Sequence, residues 1–236
     1  MRKNTFPIIL PICLLLLLTG CFGGDEASDP NFVPEFKDFP SAIASGDKFL
    51  SDDKTEQAIS AYLQATELDK KNPDGFFQLG VALAERERLL EEQGRLSSTT
   101  SSPESKGKKE LSSREAFEKS IELYNARVKT FPSDHESFFN LGRALNRLDR
   151  DSEAEKSFRE AVRLSPQINE YRIKLGETLM KLAKWGEAVS ILRKAAEIEP
   201  DNFDLSEKIE SAELGRKRLA FAPSPSPTPT PEEPQN

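Results

Sequence analysis

Cysteine is nearly absent from this chain of 236 residues. There are two, Cys13 and Cys21, both within the first 21 positions. Whatever folds beyond them has no disulfide and no thiolate with which to hold a metal or attack a substrate. Histidine occurs once, at His135, so a nucleophile–histidine pair or a histidine metal cluster would have to be built around that single residue. A basic excess is also missing. The 33 Lys and Arg residues stand against 40 Asp and Glu, a formal charge of -7, which argues against gripping nucleic acid by neutralising its phosphates. Aromatic residues make up 8% and charged residues 31%, a balance that suits solvated amphipathic helices better than one large core. No glycine-rich phosphate loop, no HExxH and no serine elbow is found. Adjacent carboxylates such as Asp52-Asp53 and Glu91-Glu92 do not face each other on a helix. Catalysis, metal, cofactor, nucleic acid and small-molecule substrate are therefore not expected.

What is present is repetition. Phe138 to Pro166 and Arg172 to Pro200 say nearly the same thing twice. Gly142 and Gly176 are thirty-four residues apart, as are Ala154 and Ala188, Ala161 and Ala195, and Pro166 and Pro200. A fixed period of that size marks stacked helix–turn–helix units. The third unit carries Phe138, Leu141, Gly142, Leu145, Ala154, Phe158, Ala161 and Pro166. The fourth carries Leu175, Gly176, Leu179, Ala188, Leu192, Ala195 and Pro200, with Arg172 in the aromatic's place. A first unit has Gly46, Phe49, Ala58, Tyr62 and Ala65. A second opens with Phe76, Leu79, Gly80 and Leu83 and closes with Ser120, Tyr124 and Pro132. These residues resemble tetratricopeptide repeats over about three-quarters of the chain. The resemblance implies an all-α solenoid of about four helix–turn–helix repeats at 39–72, 73–134, 135–168 and 169–202, with a capping helix at 203–220.

Packing explains the pattern. The glycines are expected where the first helix of a unit approaches the second, with Ala58, Ala154 and Ala188 facing them. A side chain at Gly142 would overpack that gap. Ser112–Glu115 and Ser133–Glu136 read as capping boxes. Pro166 and Pro200 stop their helices. The second unit runs from Pro73 to Asp134, 62 residues, 28 beyond the period. Its first helix is predicted to continue to about Leu96 and its second to start near Ser113. Between them, Ser97 to Lys109 is Ser/Thr-rich and reads as loop. This is either a tolerated surface insertion or a projecting hairpin that touches a partner. In the last helix Leu205, Ile209, Ala212 and Leu214 are placed on one side. Residues 221–236 contain SPSPTPTPEEP, an extended polyproline-like tail that is a spacer or a ligand for a proline-binding groove.

The amino terminus carries a second resemblance. Arg2 and Lys3 precede Phe6 to Leu18, a 13-residue apolar run, where a spanning helix needs about 20. It ends in Leu18-Thr19-Gly20-Cys21, which is similar to a bacterial lipoprotein signal. The resemblance implies that residues 1–20 are removed and that Cys21 is lipidated, so that acyl chains anchor the protein to a membrane. With Phe22 next, it implies the periplasmic side of the outer membrane in a two-membrane envelope. Loss of the leader leaves 31 basic residues against 40 acidic. Residues 21–38, with Gly23, Gly24 and prolines at 30 and 34, read as a tether. Phe36 and Phe39 are placed over the open end of the first repeat.

In proteins with such repeats the first helices line a concave face. The resemblance puts Ile43, Phe77, Phe139 and Ile173 on it, followed by Asp47, Val81, Arg143 and Glu177, and then Leu50, Ala84, Asn146 and Met180. Such an apolar ladder either receives an amphipathic helix or extended segment of a protein partner or is packed by its own neighbours. Ile43, Phe77, Val81, Phe139, Arg143, Asn146 and Ile173 are the candidate contacts. The function implied is that of an envelope-anchored adaptor in complex assembly. Alternatives are a regulator that recruits a cell-wall hydrolase or synthase, and a structural spacer.

Overall fold

The computed structural model describes residues 32–94 and 111–220. The leader and lipidation site expected from the sequence, most of the expected tether, residues 95–110 of the insertion and the proline tail lie outside the described residues. Among the described residues there are nine helices: α1 (Phe39–Ser51), α2 (Thr55–Leu68), α3 (Pro73–Glu92), α4 (Ser113–Thr130), α5 (His135–Arg147), α6 (Asp151–Leu164), α7 (Asn169–Lys181), α8 (Trp185–Ala196) and α9 (Phe203–Ala220). Each helix packs on its neighbours in the chain, giving the all-α stack of hairpins that the thirty-four-residue period predicts.

Local sequence sets the starts. Asp38 caps α1 by accepting from Ser41 N–H at 2.9 Å, with proline inside the first turn. Asn72 caps α3 ahead of Pro73. Ser112 and Glu115 close the predicted box, each accepting from the other's backbone N–H, at 3.2 and 3.0 Å. The box predicted at Ser133–Glu136 does not form. Asp134 caps α5 instead, taking Ser137 N–H at 3.0 Å and the Ser137 hydroxyl at 2.8 Å, because its carboxylate stands one residue nearer the first free donors. The helix α3 ends at Glu92, short of the predicted Leu96. Gly94 beyond it takes φ +65°, the left-handed turn that terminates helices.

The glycines do lie where helices approach, but alanine is not what meets them. A Cβ on Gly142 would come within 2.7 Å of the Phe158 ring, and one on Gly176 within 2.5 Å of Leu192; Gly46 stands likewise against Tyr62 at 2.4 Å. Each glycine is a slot for a large side chain of the second helix. Ala58, Ala154 and Ala188 are fully buried beside these slots. In the second unit the slot of Gly80 holds Phe117, at 2.8 Å, rather than Tyr124. Tyr124 instead donates its hydroxyl to Asp74 near the start of α3.

At the amino-terminal end, Gln64 of α2 grips the segment before α1. Its side-chain oxygen accepts from Phe36 N–H at 3.0 Å and its amide donates to the Pro34 carbonyl at 3.2 Å. Phe36 and Phe39 are half-buried, and the Phe39 ring comes within 3.1 Å of the Cβ position of Gly75. At the other end, Leu205 and Ala212 of α9 are buried and Ile209 is half-buried, but Leu214 is 48% exposed. Nine residues at 3.6 per turn carry Leu214 half a revolution from Leu205, so it belongs to the opposite side.

Candidate functional site

The predicted ladder divides into core and surface. Phe77 and Phe139 are 3% and 5% exposed, so the two aromatic rungs are core residues, not open contacts. Phe77 meets Phe117 with centroids 5.8 Å apart. Phe139 stacks on Tyr171 at 4.5 Å and tilts against Phe158 at 5.7 Å. Neighbouring helices bring these large rings together because each hairpin alone buries too little. Ile43 is half-buried against the core around Ala58, Tyr62 and Leu83, and Ile173 against the core around Phe139 and Leu175. Asn146 is half-buried and ties α5 to α7, donating to Thr178 Oγ1 at 2.9 Å, while its Oδ1 is buried without a partner.

Arg143 is the ladder's cation, half-buried on α5. Its guanidinium lies over the Phe77 ring at 4.6 Å and near Phe139 at 5.8 Å, a cation–π arrangement contributing about 0.5–2 kcal/mol. It donates to Asn140 Oδ1 at 3.2 Å. Burial pulls its pKa below the usual arginine value, a charge held in part by aromatic faces. No carboxylate lies within ion-pair distance of it among the described residues. One turn on, Arg147 is exposed and equally without a described ion-pair partner. Sequence reasoning missed Arg147, although its spacing of four from Arg143 put both on one helical face.

Arg147 stands at the rim of a groove of about 450 Å³ between α1, α3 and α5. Leu50, Val81, Ala84 and Leu89 give it an apolar floor, and Asp53, Glu85 and Arg88 share the rim. Arg88 is engaged by Glu85 and Glu92, so Arg147 is the rim cation left for a ligand. The arrangement brings Val81 and Arg143/Arg147 to one side of α3 and α5. It offers an apolar cleft with charged residues at its rim. His135 is half-buried, with its Nδ1 2.8 Å from the Tyr171 hydroxyl. Among the described residues no group of acidic, His or Cys side chains is placed to hold a metal ion, and no helix is long and apolar enough to cross a membrane.

Comparison with known families gives the class of protein. A model described as TPR repeat matches residues 46–86, and models described as tetratricopeptide repeat match 109–169 and 170–202. Together with the stacked hairpins, these matches make the fold a tetratricopeptide-repeat solenoid. Repeats of this class serve in protein–protein interaction and scaffolding, and the fold is typically non-enzymatic. No curated protein matches the sequence. Similar solved structures include the MamA protein, at 18% identity over 76% of this chain and 82% of that one, TM-score 0.48. Another is YrrB, described as a TPR protein with an unusual peptide-binding site, at 17% identity over 76% and 78%, TM-score 0.46. A third is the first TPR domain of human RPAP3, at 18% identity over 62% and 99%, TM-score 0.42.

Proposed function

We propose that this chain is a lipid-anchored, non-enzymatic adaptor of the cell envelope that holds a segment of another protein on its concave face and so helps assemble or position a larger complex. The observation that carries the reading is the pair Arg143 and Arg147: two cations one turn apart, neither with a described carboxylate partner, beside the apolar floor of Leu50, Val81, Ala84 and Leu89. The segment that fits is apolar with an acidic flank. The anchor is supported by the charged-then-apolar leader ending in Leu18-Thr19-Gly20-Cys21, and Phe22 after it supports the periplasmic side of the outer membrane if the envelope has two membranes.

Affinity purification from membranes after mild cross-linking tests the reading. The natural chain is compared with Arg143→Glu/Arg147→Glu, after circular dichroism shows equal helicity. A defined partner that appears with the first and is lost with the second supports the concave site. The same partners with both chains overturn it. A cell-wall hydrolase or synthase as the partner makes the chain a recruiter, and no partner with either makes it a spacer. For the anchor, Cys21→Ser is expected to move the protein from the membrane to the soluble fraction and to abolish incorporation of labelled palmitate. A variant that stays membrane-bound and labelled removes the lipoprotein reading.

A further inference from the structure

We propose that the groove beside Trp185 is a binding site for an extended proline-rich segment, and that the chain's own tail, residues 223–231, occupies it. This site lies at the α8/α9 end, does not involve the concave groove, and does not rest on the reading above.

Trp185 opens α8 and is the chain's single tryptophan. A Cβ on Gly215 would lie 2.5 Å from its six-membered ring, so the indole lies directly against the backbone of α9. Ser211, Leu214, Arg218 and Leu219 complete a groove of about 380 Å³. Leu214 and Leu219 are 48% and 63% exposed. A terminal helix is expected to turn a polar face to water, and elsewhere α9 does so, with Glu207, Glu210, Arg216 and Lys217 exposed. Apart from Phe203 at its first position, the exposed large apolar residues of α9 are Leu214 and Leu219 in its last turns, beside the indole.

A flat aromatic ring with apolar walls is the surface that proline-rich segments recognise. Such a segment has no internal hydrogen bonds to break and is already ordered, so little entropy is lost on docking. The chain carries one at this place. Prolines stand at positions 223, 225, 227, 229, 231 and 234, and the tail leaves Ala220 directly after Leu219 on the groove's rim. From Ser211 to Leu219 the groove runs about 12 Å at 1.5 Å per helical residue. Polyproline rises about 3.1 Å per residue, so about four or five tail residues span it. Phe221 and Ala222 stand between the end of α9 and the first tail proline. The short tether raises the effective concentration to about the millimolar range, which favours this occupant over a free segment of equal chemistry.

The single tryptophan makes the groove readable without a label. Emission and acrylamide quenching are compared for the full chain, a chain ending at Ala220, and a full-length chain with the six tail prolines changed to serine. Truncation is expected to shift emission to the red and steepen quenching about twofold as the stacked rings leave the indole. The proline-free tail is expected to behave like the truncation, and the natural chain's protection is expected to be independent of protein concentration. Quenching that is unchanged by truncation shows that the tail does not cover Trp185 and overturns the proposal. Equal protection by the proline-free tail, or protection that grows with concentration and so comes from a second copy, overturns it as well.

Discussion

The hairpin α5/α6 turns in three residues, Leu148 to Arg150, and so do α1/α2 and α7/α8; in α3/α4, twenty residues, Gln93 to Ser112, separate the helices. The short turns are built alike. Asp53, Asp149 and Ala183 take φ near +55°, and the next N–H reaches back five residues: Lys54 to Phe49 at 2.8 Å, Arg150 to Leu145 at 3.0 Å, and Lys184 to Leu179 at 2.9 Å. That turn fixes how the two helices slide past each other. Gly46 meets Tyr62, Gly142 meets Phe158 and Gly176 meets Leu192, always sixteen residues on. In α3/α4 no such turn sets the register, and side chains set it instead: Asp74 with Tyr124, Gly80 with Phe117, and Glu87 with the Ser113 hydroxyl at 2.6 Å. A tight turn specifies register locally, while a long connection leaves it to packing and polar pairs along the helices.

The largest effect that sharpens this contrast is loss of a slot-filling ring. Phe158 is fully buried, and Phe158→Ala is expected to cost about 3–5 kcal/mol by leaving a cavity, read as a fall in the denaturation midpoint at constant slope. Phe117→Ala in the long hairpin is expected to cost as much, although by period it corresponds to Asp151 and Trp185 and not to the slot-filling Phe158 and Leu192. A cost for Phe117→Ala of under about 0.5 kcal/mol, the surface range, would break the assigned register.

Next comes the slot itself. Gly80→Ala is expected to cost about 1–3 kcal/mol by overpacking against Phe117. Combining it with Phe117→Leu should return part of that loss, and combining it with Tyr124→Leu should return none. A double-mutant cycle reads the difference directly. Coupling to Tyr124 rather than Phe117 would restore the register that the thirty-four-residue period suggests.

That period made the fold legible: the stack, most helix starts and the slot glycines all follow from its spacing. It misled where a local device was missing or different. Tyr124 is thirty-four residues before Phe158, yet the absent tight turn lets another ring take its place. Ser133 has a box partner at the right spacing, but the Asp134 carboxylate wins the cap. The ladder was legible as a set of positions and not as a surface, because burial of Phe77 and Phe139 depends on rings supplied by neighbouring helices. Arg143 was legible as a ladder residue, while its unpaired charge depends on which acids stay out of reach in space.

A third test concerns what joins one short hairpin to the next. Glu155 of α6 is 7% exposed and accepts from Lys184 at 2.8 and 2.9 Å and from Arg159 at 2.8 Å, linking α6 to the turn before α8. Partial burial raises its pKa, but the hydrogen bonds and charges of Lys184 and Arg159 outweigh this and hold it below the ordinary 4.5. Because the folded value is the lower one, the contribution is complete above about pH 4.5 and is lost as pH falls through the depressed value. Glu155→Gln is expected to cost about 1–3 kcal/mol at pH 7, and the gap between variant and natural chain should narrow on acidification. A gap that stays constant down to pH 2 would show that the carboxylate's charge is not what joins these hairpins.

The smallest effect falls on the turn. Asp tolerates the left-handed conformation through its short polar side chain, whereas alanine pays the full Cβ clash with the following carbonyl. Ala183, at φ +55°, is therefore the weakest of the three turns. Ala183→Gly is expected to relieve that strain, offset by glycine's greater freedom in the unfolded chain, for a net gain of about 0.5–1 kcal/mol. The matching change Asp149→Gly, where φ is +56°, should gain less, because aspartate already tolerates the conformation. Equal gains at the two positions would mean that the clash at alanine is not what distinguishes these turns. A loss at Ala183 would mean that the turn is held by something other than its backbone conformation.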